Sequence, residues 1–177
     1  MNRSKFLIST KDLDQEVVYE FHDLAPEELD IKCGRSITVG NINATVSLQK
    51  SAIGIGVDFR VVFHGEYICM RCLIGFADNY DSALHLDYVE GDDPYLHIEN
   101  VELNPHDADR VYYRGPLIDL SLGMREAVLL ALPITPVCKD ECRGLCPECG
   151  TNWNLKSCKC KVDKAGIFTP QSKTAKK

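Results

Sequence analysis

Residues 42–64 read INATVSLQKSAIGIGVDFRVVFH. Apolar and polar side chains alternate over 42–48 and again over 57–64, and this period of two is the pattern of half-buried strands. Gly54 and Gly56 punctuate the connection between the two runs. The stretch therefore predicts two neighbouring antiparallel strands at the centre of a β-rich fold.

The flanking sequence extends this pattern in both directions. Residues 16–21, 84–88 and 111–113 predict further strands, and residues 26–30 predict a short helical turn. Residues 90–109 are acidic, contain two prolines and are typical of a loop or a weakly ordered crossover. We expect the strands to form an antiparallel β-meander or a small barrel.

One main helix is predicted toward the C-terminal end, over about 119–132. Asp119 is a suitable N-cap, because its carboxylate can accept a hydrogen bond from a free backbone N–H of the first turn. Pro133 and Pro136 end the helix. Its apolar face is formed by Leu120, Met124, Ala127, Val128 and Ala131. Together with the strands, this helix predicts an α+β fold.

Nine cysteines occur in the chain, and six of them lie in residues 138–160, which read CKDECRGLCPECGTNWNLKSCKC. In Cys146-Pro-Glu-Cys149-Gly150, two thiolates can chelate one ion, and the glycine lets backbone N–H groups fold back toward sulfur. The N-terminal residues turn acidic too soon for a secretory signal, so we expect a cytoplasmic protein. In that reducing compartment clustered thiols bind metal more often than they form disulfides. The stretch predicts a zinc-knuckle tail.

Eight cysteines form four close pairs, and these are the candidate metal ligands: Cys69 and Cys72, Cys138 and Cys142, Cys146 and Cys149, Cys158 and Cys160. Zinc prefers four soft ligands, so one or two structural zinc ions are expected. One arrangement joins the last two pairs through a short loop and leaves the first two for a second site. A competing arrangement places the second and third pairs around one ion. Cys33 is left over as an ordinary buried or half-exposed side chain.

Two other interpretations of Cys69-Met-Arg-Cys72 stay open at this point. The two residues are either ordinary buried cysteines or a redox dithiol. Redox dithiols usually lie at a helix N-terminus, which lowers the thiol pKa. This motif is instead expected to join two strands.

No catalytic set emerges from the sequence. Gly54-Ile-Gly56 connects strands and opens no helix, so it does not fit a phosphate-binding loop. The histidines show no ligand spacing and are expected at the surface or at strand edges: His22, His64, His85, His97 and His106. We therefore expect neither enzymatic activity nor a small-molecule substrate.

Charge is divided unevenly along the chain. Residues 1–137 contain 22 Asp and Glu against 11 Lys and Arg, whereas residues 138–177 contain 9 Lys and Arg against 4 Asp and Glu. Phosphate contacts need cations, so any RNA contact is expected in the basic tail, while the acidic body suits basic proteins. No apolar run approaches the roughly 20 residues that span a bilayer, so no membrane partner is expected.

The cysteine motifs and the end of the helix resemble the YceD family, the bacterial large ribosomal RNA subunit accumulation proteins, and within it the members with a cysteine-rich C-terminal tail. The resemblance rests on Cys69-Met-Arg-Cys72-Leu73, on Ala-Leu-Pro-Ile-Thr-Pro-Val-Cys138, and on the tail that ends with Cys160. It implies a non-enzymatic role in the synthesis, processing or accumulation of large-subunit (23S) ribosomal RNA. The implied partners are the large-subunit precursor, ribosomal RNA or basic ribosomal proteins.

Three parts are therefore expected: an acidic β-rich main domain over residues 1–137, a zinc-binding tail over 138–161, and a flexible basic C-terminus over 162–177. Two alternative functions are a zinc-ribbon adaptor that binds nucleic acid or protein in transcription, and a thiol-redox enzyme. A site with four thiolate ligands offers no open coordination position, which argues against an enzyme.

Overall fold

The computed structural model describes residues 3–160 other than 12, 14, 33, 35, 99, 101 and 103. Its elements are the strands β1 (Leu7–Ser9), β2 (Val17–Leu24), β3 (Ile37–Lys50), β4 (Ile55–Ile68), β5 (Gly75–Glu90), β6 (Arg110–Tyr113) and β7 (Leu117–Asp119), and the helix α1 (Ser121–Ala131). Short 3-10 turns cover Arg3–Phe6, Pro26–Leu29 and Pro105–Asp107. The predicted α+β class is confirmed. No helix in the described part of the chain is long and apolar enough to cross a membrane.

The large sheet has the strand order β2-β3-β4-β5-β6. Strands β2 to β5 pair antiparallel, with Val46 opposite Phe59 and Phe59 opposite Leu84, so the predicted meander is confirmed. Strand β6 runs parallel to β5, which requires the crossover that residues 91–109 provide. Across the described residues the sheet stays open, with β2 and β6 as its edges, and does not close into a barrel. Strands β1 and β7 form a separate two-stranded ladder.

Strand alternation divides the large sheet into a helix-covered face and an open face. The helix-covered face forms the core and includes Ile42, Val46, Leu48, Val57, Phe59 and Val61, each at most 1% exposed. Helix α1 packs on this face over β4 and β5. The approach is close at Gly123, where a Cβ atom would lie 2.5 Å from Cε2 of Phe59. The open face points to solvent and carries side chains such as Asp58, Arg60 and Glu66.

Helix α1 begins at Ser121, within the predicted range of about 119–132. Leu120 occupies the cap position, and the Asp119 carboxylate accepts a hydrogen bond from the Ser121 N–H at 2.9 Å. Asp119 therefore performs the expected capping contact from one residue further out. Met124, Ala127 and Val128 are fully buried, whereas Ala131 is half-buried.

The acidic crossover is organised around Asp107. Its carboxylate accepts hydrogen bonds from the Asn104 N–H at 3.1 Å, from the Tyr95 hydroxyl at 3.1 Å and from the Arg110 guanidinium at 2.5 Å. The backbone N–H of Asn104 is the main reason that the pKa of Asp107 lies below its ordinary value. One buried carboxylate thus fixes the turn that delivers the chain to β6.

Candidate metal centres

Eight cysteines gather into two groups of four in the structure. The sheet-linked group consists of Cys69, Cys72, Cys138 and Cys142. The tail group consists of Cys146, Cys149, Cys158 and Cys160. Within each group the four sulfur atoms lie within 4.8 Å of one another. The structure therefore shows the first of the two predicted groupings and not the competing one, and Cys33 lies outside the described residues.

Sulfur–sulfur distances in the sheet-linked group match a shared metal ion. The distance is 3.8 Å from Cys69 Sγ to Cys142 Sγ and 3.6 Å from Cys72 Sγ to Cys138 Sγ. Four sulfurs at the corners of a tetrahedron, each about 2.3 Å from a central zinc ion, lie about 3.8 Å apart. A disulfide would need about 2.05 Å. The arrangement therefore fits a four-thiolate metal site.

The sheet supplies the first half of this group through the turn between β4 and β5. The Cys69 N–H donates to the Ile74 carbonyl at 2.9 Å, and the Leu73 N–H donates to the Cys69 carbonyl at 2.9 Å. The chain after α1 reaches this turn where the Met70 N–H donates to the Pro136 carbonyl at 2.9 Å. Backbone hydrogen bonds thus bring two distant segments to one place.

Arg71 fastens the tail to the same turn. Its guanidinium Nη1 donates to the carbonyl oxygens of Asp140 at 2.9 Å and Cys142 at 3.3 Å. Its own carbonyl accepts a hydrogen bond from the Leu145 N–H at 3.1 Å. Gly144 has φ 72°, and a Cβ there would lie 3.1 Å from the Arg71 carbonyl oxygen. The guanidinium of Arg71 is therefore engaged in hydrogen bonds within the fold.

The tail group is built by short backbone hydrogen bonds. The Cys146 N–H donates to the Thr151 carbonyl at 2.8 Å, and the Gly150 N–H donates to the Cys146 carbonyl at 2.8 Å. Gly150 has φ 69°, as expected for the glycine of a knuckle turn. The Trp153 ring N–H donates to Cys158 Sγ at 3.4 Å. The tryptophan therefore packs over the cysteines.

The two groups differ in burial. Cys69 is 0% and Cys72 3% exposed, whereas Cys149 and Cys160 are exposed to solvent. Phe76 packs against the sheet-linked group. Stacking continues from Phe76 to Tyr67, with ring centroids 5.5 Å apart, and so into the core of the sheet. The sheet-linked group is therefore an extension of the hydrophobic core, and the tail group is a surface feature.

Backbone N–H groups surround the sulfurs in a regular pattern. For six of the eight cysteines, the hydrogen-bond donor is the residue two positions later: Cys69 with Arg71, Cys72 with Ile74, Cys142 with Gly144, Cys146 with Glu148, Cys149 with Thr151, and Cys158 with Cys160. Such donors favour the thiolate over the thiol. The thiolate is the form that binds metal.

The thiols of the sheet-linked group differ in their pKa values. Burial raises the pKa of Cys69, but the backbone N–H groups of Cys138, Cys72 and Arg71 outweigh it, and the pKa falls to about 6. Burial and the neighbouring sulfurs raise the pKa of Cys138 to about 12. A divalent cation would allow all four thiols to ionise together, because it removes the repulsion among the sulfurs.

The thiols of the tail group also differ in their pKa values. The Thr151 hydroxyl and N–H lower the pKa of Cys149 to about 6. The pKa of the Cys160 thiol is raised to about 12, mainly by the hydrogen bond that it shares with Cys149 and secondly by burial. The sequence analysis missed Thr151, since a threonine in a polar loop carries no distinguishing pattern.

These features define a class of protein: an α+β domain with two candidate structural metal centres, one that links the central sheet to the C-terminal tail and one within the tail. The family model described as "Large ribosomal RNA subunit accumulation protein YceD" matches residues 57–170. The chain therefore belongs to the YceD family, as its cysteine motifs indicated.

Curated relatives match over a shorter stretch. The "Large ribosomal RNA subunit accumulation protein YCED homolog 1, chloroplastic" of Arabidopsis thaliana is 42% identical over 43 residues, which is 24% of this chain and 13% of that protein. An uncharacterised protein of Mycobacterium tuberculosis is 54% identical over 33 residues, or 19% of this chain and 16% of its own length. An uncharacterised protein of Mycobacterium leprae is 49% identical over 35 residues, or 20% and 16%. No solved structure matches the chain.

Proposed function

We propose that this protein is a ribosome biogenesis factor that supports the synthesis, processing or accumulation of large-subunit (23S) ribosomal RNA without acting as an enzyme. Membership of the YceD family over residues 57–170 is the observation that carries this proposal. The name of the Arabidopsis relative also states large ribosomal RNA subunit accumulation, and the match covers 13% of its length. The activity of the whole protein is accordingly part of the proposal.

Two structural zinc ions belong to the same proposal, one in each cysteine group. In the sheet-linked group, the sulfur distances of 3.6 and 3.8 Å support it. In both groups, the sulfur atoms within 4.8 Å of one another and the N–H groups aimed at sulfur support it. Four protein thiolates fill the tetrahedral coordination of zinc and leave no position for substrate or water. The turn between β4 and β5, which holds Cys69 and Cys72, opens no helix of the kind that activates redox dithiols. A stabilising role therefore fits better than catalysis.

The large-subunit precursor in the cytoplasm is the proposed place of action. Its ribosomal RNA would meet the basic residues of the tail, such as the exposed Lys156 and Lys159, and its basic ribosomal proteins would meet the acidic body. The proposal includes the division of the chain into three parts, with boundaries after residues 137 and 161. The sheet-linked group joins the first two parts, so we expect loss of this group to destabilise both.

Deletion of the gene tests the proposed function. The ratio of mature large-subunit to small-subunit ribosomal RNA should fall and large-subunit precursors should accumulate, most clearly during growth in the cold. Complementation with the wild-type chain should restore the ratio, and a variant lacking Cys69 and Cys72 should not. An unchanged ratio with normal ribosome profiles at both temperatures would contradict the proposal and favour a zinc-ribbon adaptor acting elsewhere.

A further inference from the structure

The two C-x-x-C turns end in different residues with the same backbone conformation. Cys72 is followed by Leu73 at φ 59°, and Cys149 is followed by Gly150 at φ 69°. Glycine adopts positive φ at little cost, whereas leucine brings its Cβ too close to the following carbonyl oxygen. The other described non-glycine residues with positive φ are both aspartates, which tolerate this region. Leu73 is therefore strained where the equivalent position of the other turn holds glycine.

Packing inside the fold does not compensate for this strain. The Leu73 side chain is 64% exposed, and its neighbours Met70, Ile74 and Ile68 are 59%, 41% and 39% exposed. We call these four residues the knuckle tip. Concentrated exposed apolar side chains mark interaction sites, and a strained residue whose side chain is mostly exposed indicates a function outside the fold. The hydrogen bonds of the turn present these side chains on a fixed support.

A depression of about 460 Å³ adjoins the knuckle tip on the open face of the sheet, and Ile68 belongs to both. Gly75, which has no side chain, and Ala77, which has a single methyl group, line it and leave the space above the sheet free. The exposed Glu66 forms one wall. The depression beside the knuckle tip therefore offers space for a side chain of a partner and a carboxylate that can bind its charge.

Glu66 is the carboxylate at the depression, and the open-face positions nearest to it, over 62–68 and 75–81, carry no Lys or Arg. All residues of β4 and β5 are described, and the open-face positions of these strands carry one Lys or Arg, which is Arg60. The other open-face carboxylates of these strands lie further along the sheet, in the order Asp81, Asp58 and Asp87. Asp81 pairs with Arg60 at 2.9 Å and Asp58 with His85 at 2.7 Å, so Glu66 and Asp87 supply the excess of negative charge. The surface therefore attracts cations and repels phosphates.

We propose that the knuckle tip and the adjoining depression bind a basic segment of a partner protein. An apolar side chain of the partner would contact Leu73 and Met70, and a lysine or arginine would lie in the depression beside Glu66. This inference deepens the proposed function, on which the choice of a basic ribosomal partner rests. The Glu66 carboxylate and the excess of negative charge on the open face disfavour an RNA occupant.

The test measures binding of short fluorescent peptides to the zinc-loaded full chain by fluorescence anisotropy. A peptide of lysine, leucine and serine should bind, whereas versions with glutamate in place of lysine, or serine in place of leucine, should bind weakly. Leu73→Gly should lower the affinity about tenfold by removing the apolar contact. Its melting temperature should stay equal or rise, because glycine relieves the backbone strain. Glu66→Gln should also weaken binding.

Two matched variants serve as controls. Leu96→Gly removes an equally exposed leucine beyond the far end of β5, and Glu27→Gln removes an exposed carboxylate on the side of the sheet that α1 covers. Both should bind the peptide like wild type.

Equal affinity of Leu73→Gly and wild type would overturn the inference, as would a lower melting temperature, which would make Leu73 a packing residue. Binding of single-stranded RNA that Leu73→Gly weakens would also overturn it. An unchanged ribosomal RNA ratio after gene deletion would instead contradict the proposed function and leave the peptide result standing.

Discussion

Asn154 donates a hydrogen bond from Nδ2 to the sulfur of Cys142 at 3.3 Å. Asn154 lies in the loop of the tail group, whereas Cys142 belongs to the sheet-linked group. The Asn154 carbonyl oxygen accepts a hydrogen bond from the Arg143 N–H at 2.9 Å, which fixes the orientation of the amide. One side chain thus connects the loop of one candidate metal centre to a sulfur of the other.

Replacement of this asparagine should weaken the sheet-linked centre. Asn154→Leu keeps the volume but removes the donor to Cys142, and loss of such an outer contact typically lowers metal affinity about tenfold or more. Competition with a zinc chelator measures the effect. Asn79→Leu is the control, because the Asn79 side chain lies on the open face, where its Oδ1 is 3.0 Å from His64 Nδ1. Equal zinc retention in both variants would show that the Asn154 contact is incidental.

We expect two zinc ions per chain in the purified protein. Four thiolates in each of two groups, with sulfurs within 4.8 Å of one another, would hold one ion each. Elemental analysis should find about one ion fewer in Cys72→Ser and in Cys149→Ser. A single ion in the wild-type chain would remove one of the two centres, and visible absorbance from iron would indicate a cluster instead.

The two centres should differ in their effect on global stability. Cys69→Ser should lower the melting temperature of the whole sheet, since Cys69 is fully buried and metal-binding energy at such a site is folding energy. Cys149→Ser should loosen the tail alone. The single tryptophan, Trp153, reports on the tail by fluorescence, while circular dichroism reports on the sheet. Equal losses by both probes in both variants would mean that the chain unfolds as one unit.

Gly123→Ala should destabilise the domain even though alanine favours helices. The added Cβ would lie 2.5 and 2.8 Å from ring atoms of Phe59, and overpacking of this kind costs about 1–3 kcal/mol. The gain in helix propensity is about 1 kcal/mol and does not offset a clash with a rigid ring. Denaturant unfolding gives the difference. Gly34→Ala is the control, because nothing lies within 4 Å of the Cβ position there.

The acidic crossover should lose its order in acid. The pKa of Asp107 is lowered, first by the Asn104 N–H, so its contribution is complete above the ordinary value of 3.8 and disappears as the pH falls through the lower folded value. Nuclear magnetic resonance of the Asn104 amide should follow this transition. Asp107→Asn should show the acid spectrum already at neutral pH. If neither acid nor Asp107→Asn changes the Asn104 signal, Asp107 is not the residue that orders the crossover.

Long strands were predictable because each repeats its alternation several times. Strand β4 carries buried side chains at every second position from Val57 to Tyr67, and the sequence shows this directly. Strands β1 and β7 contain three residues each, too few to show a period, and their pairing depends on the tertiary fold. The parallel direction of β6 was equally hidden, since the crossover decides it.

Spacing limited the grouping of the cysteines to two arrangements, of which the structure shows one, but it did not predict their surroundings. Sequence proximity brings together the four cysteines of the tail group. The contact of Asn154 with Cys142 and the positive φ of Leu73 arise only when the two turns are folded against each other. Asparagine and leucine in these contexts resemble ordinary loop residues, so no pattern distinguishes them beforehand.

Because the chain is synthesised from its N-terminus, the large sequence separation between the cysteines of the sheet-linked group delays the completion of that group. Cys142 follows Cys69 by 73 residues. A ribosome adding about 5–20 residues per second needs roughly 4–15 s to cover that distance. During this interval the first cysteine pair leaves the exit tunnel without its partners, and the nascent sheet has an unfinished end. Completion of the fold thus waits for the last quarter of the chain, so a truncated product would lack the closure that protects a finished molecule from proteases.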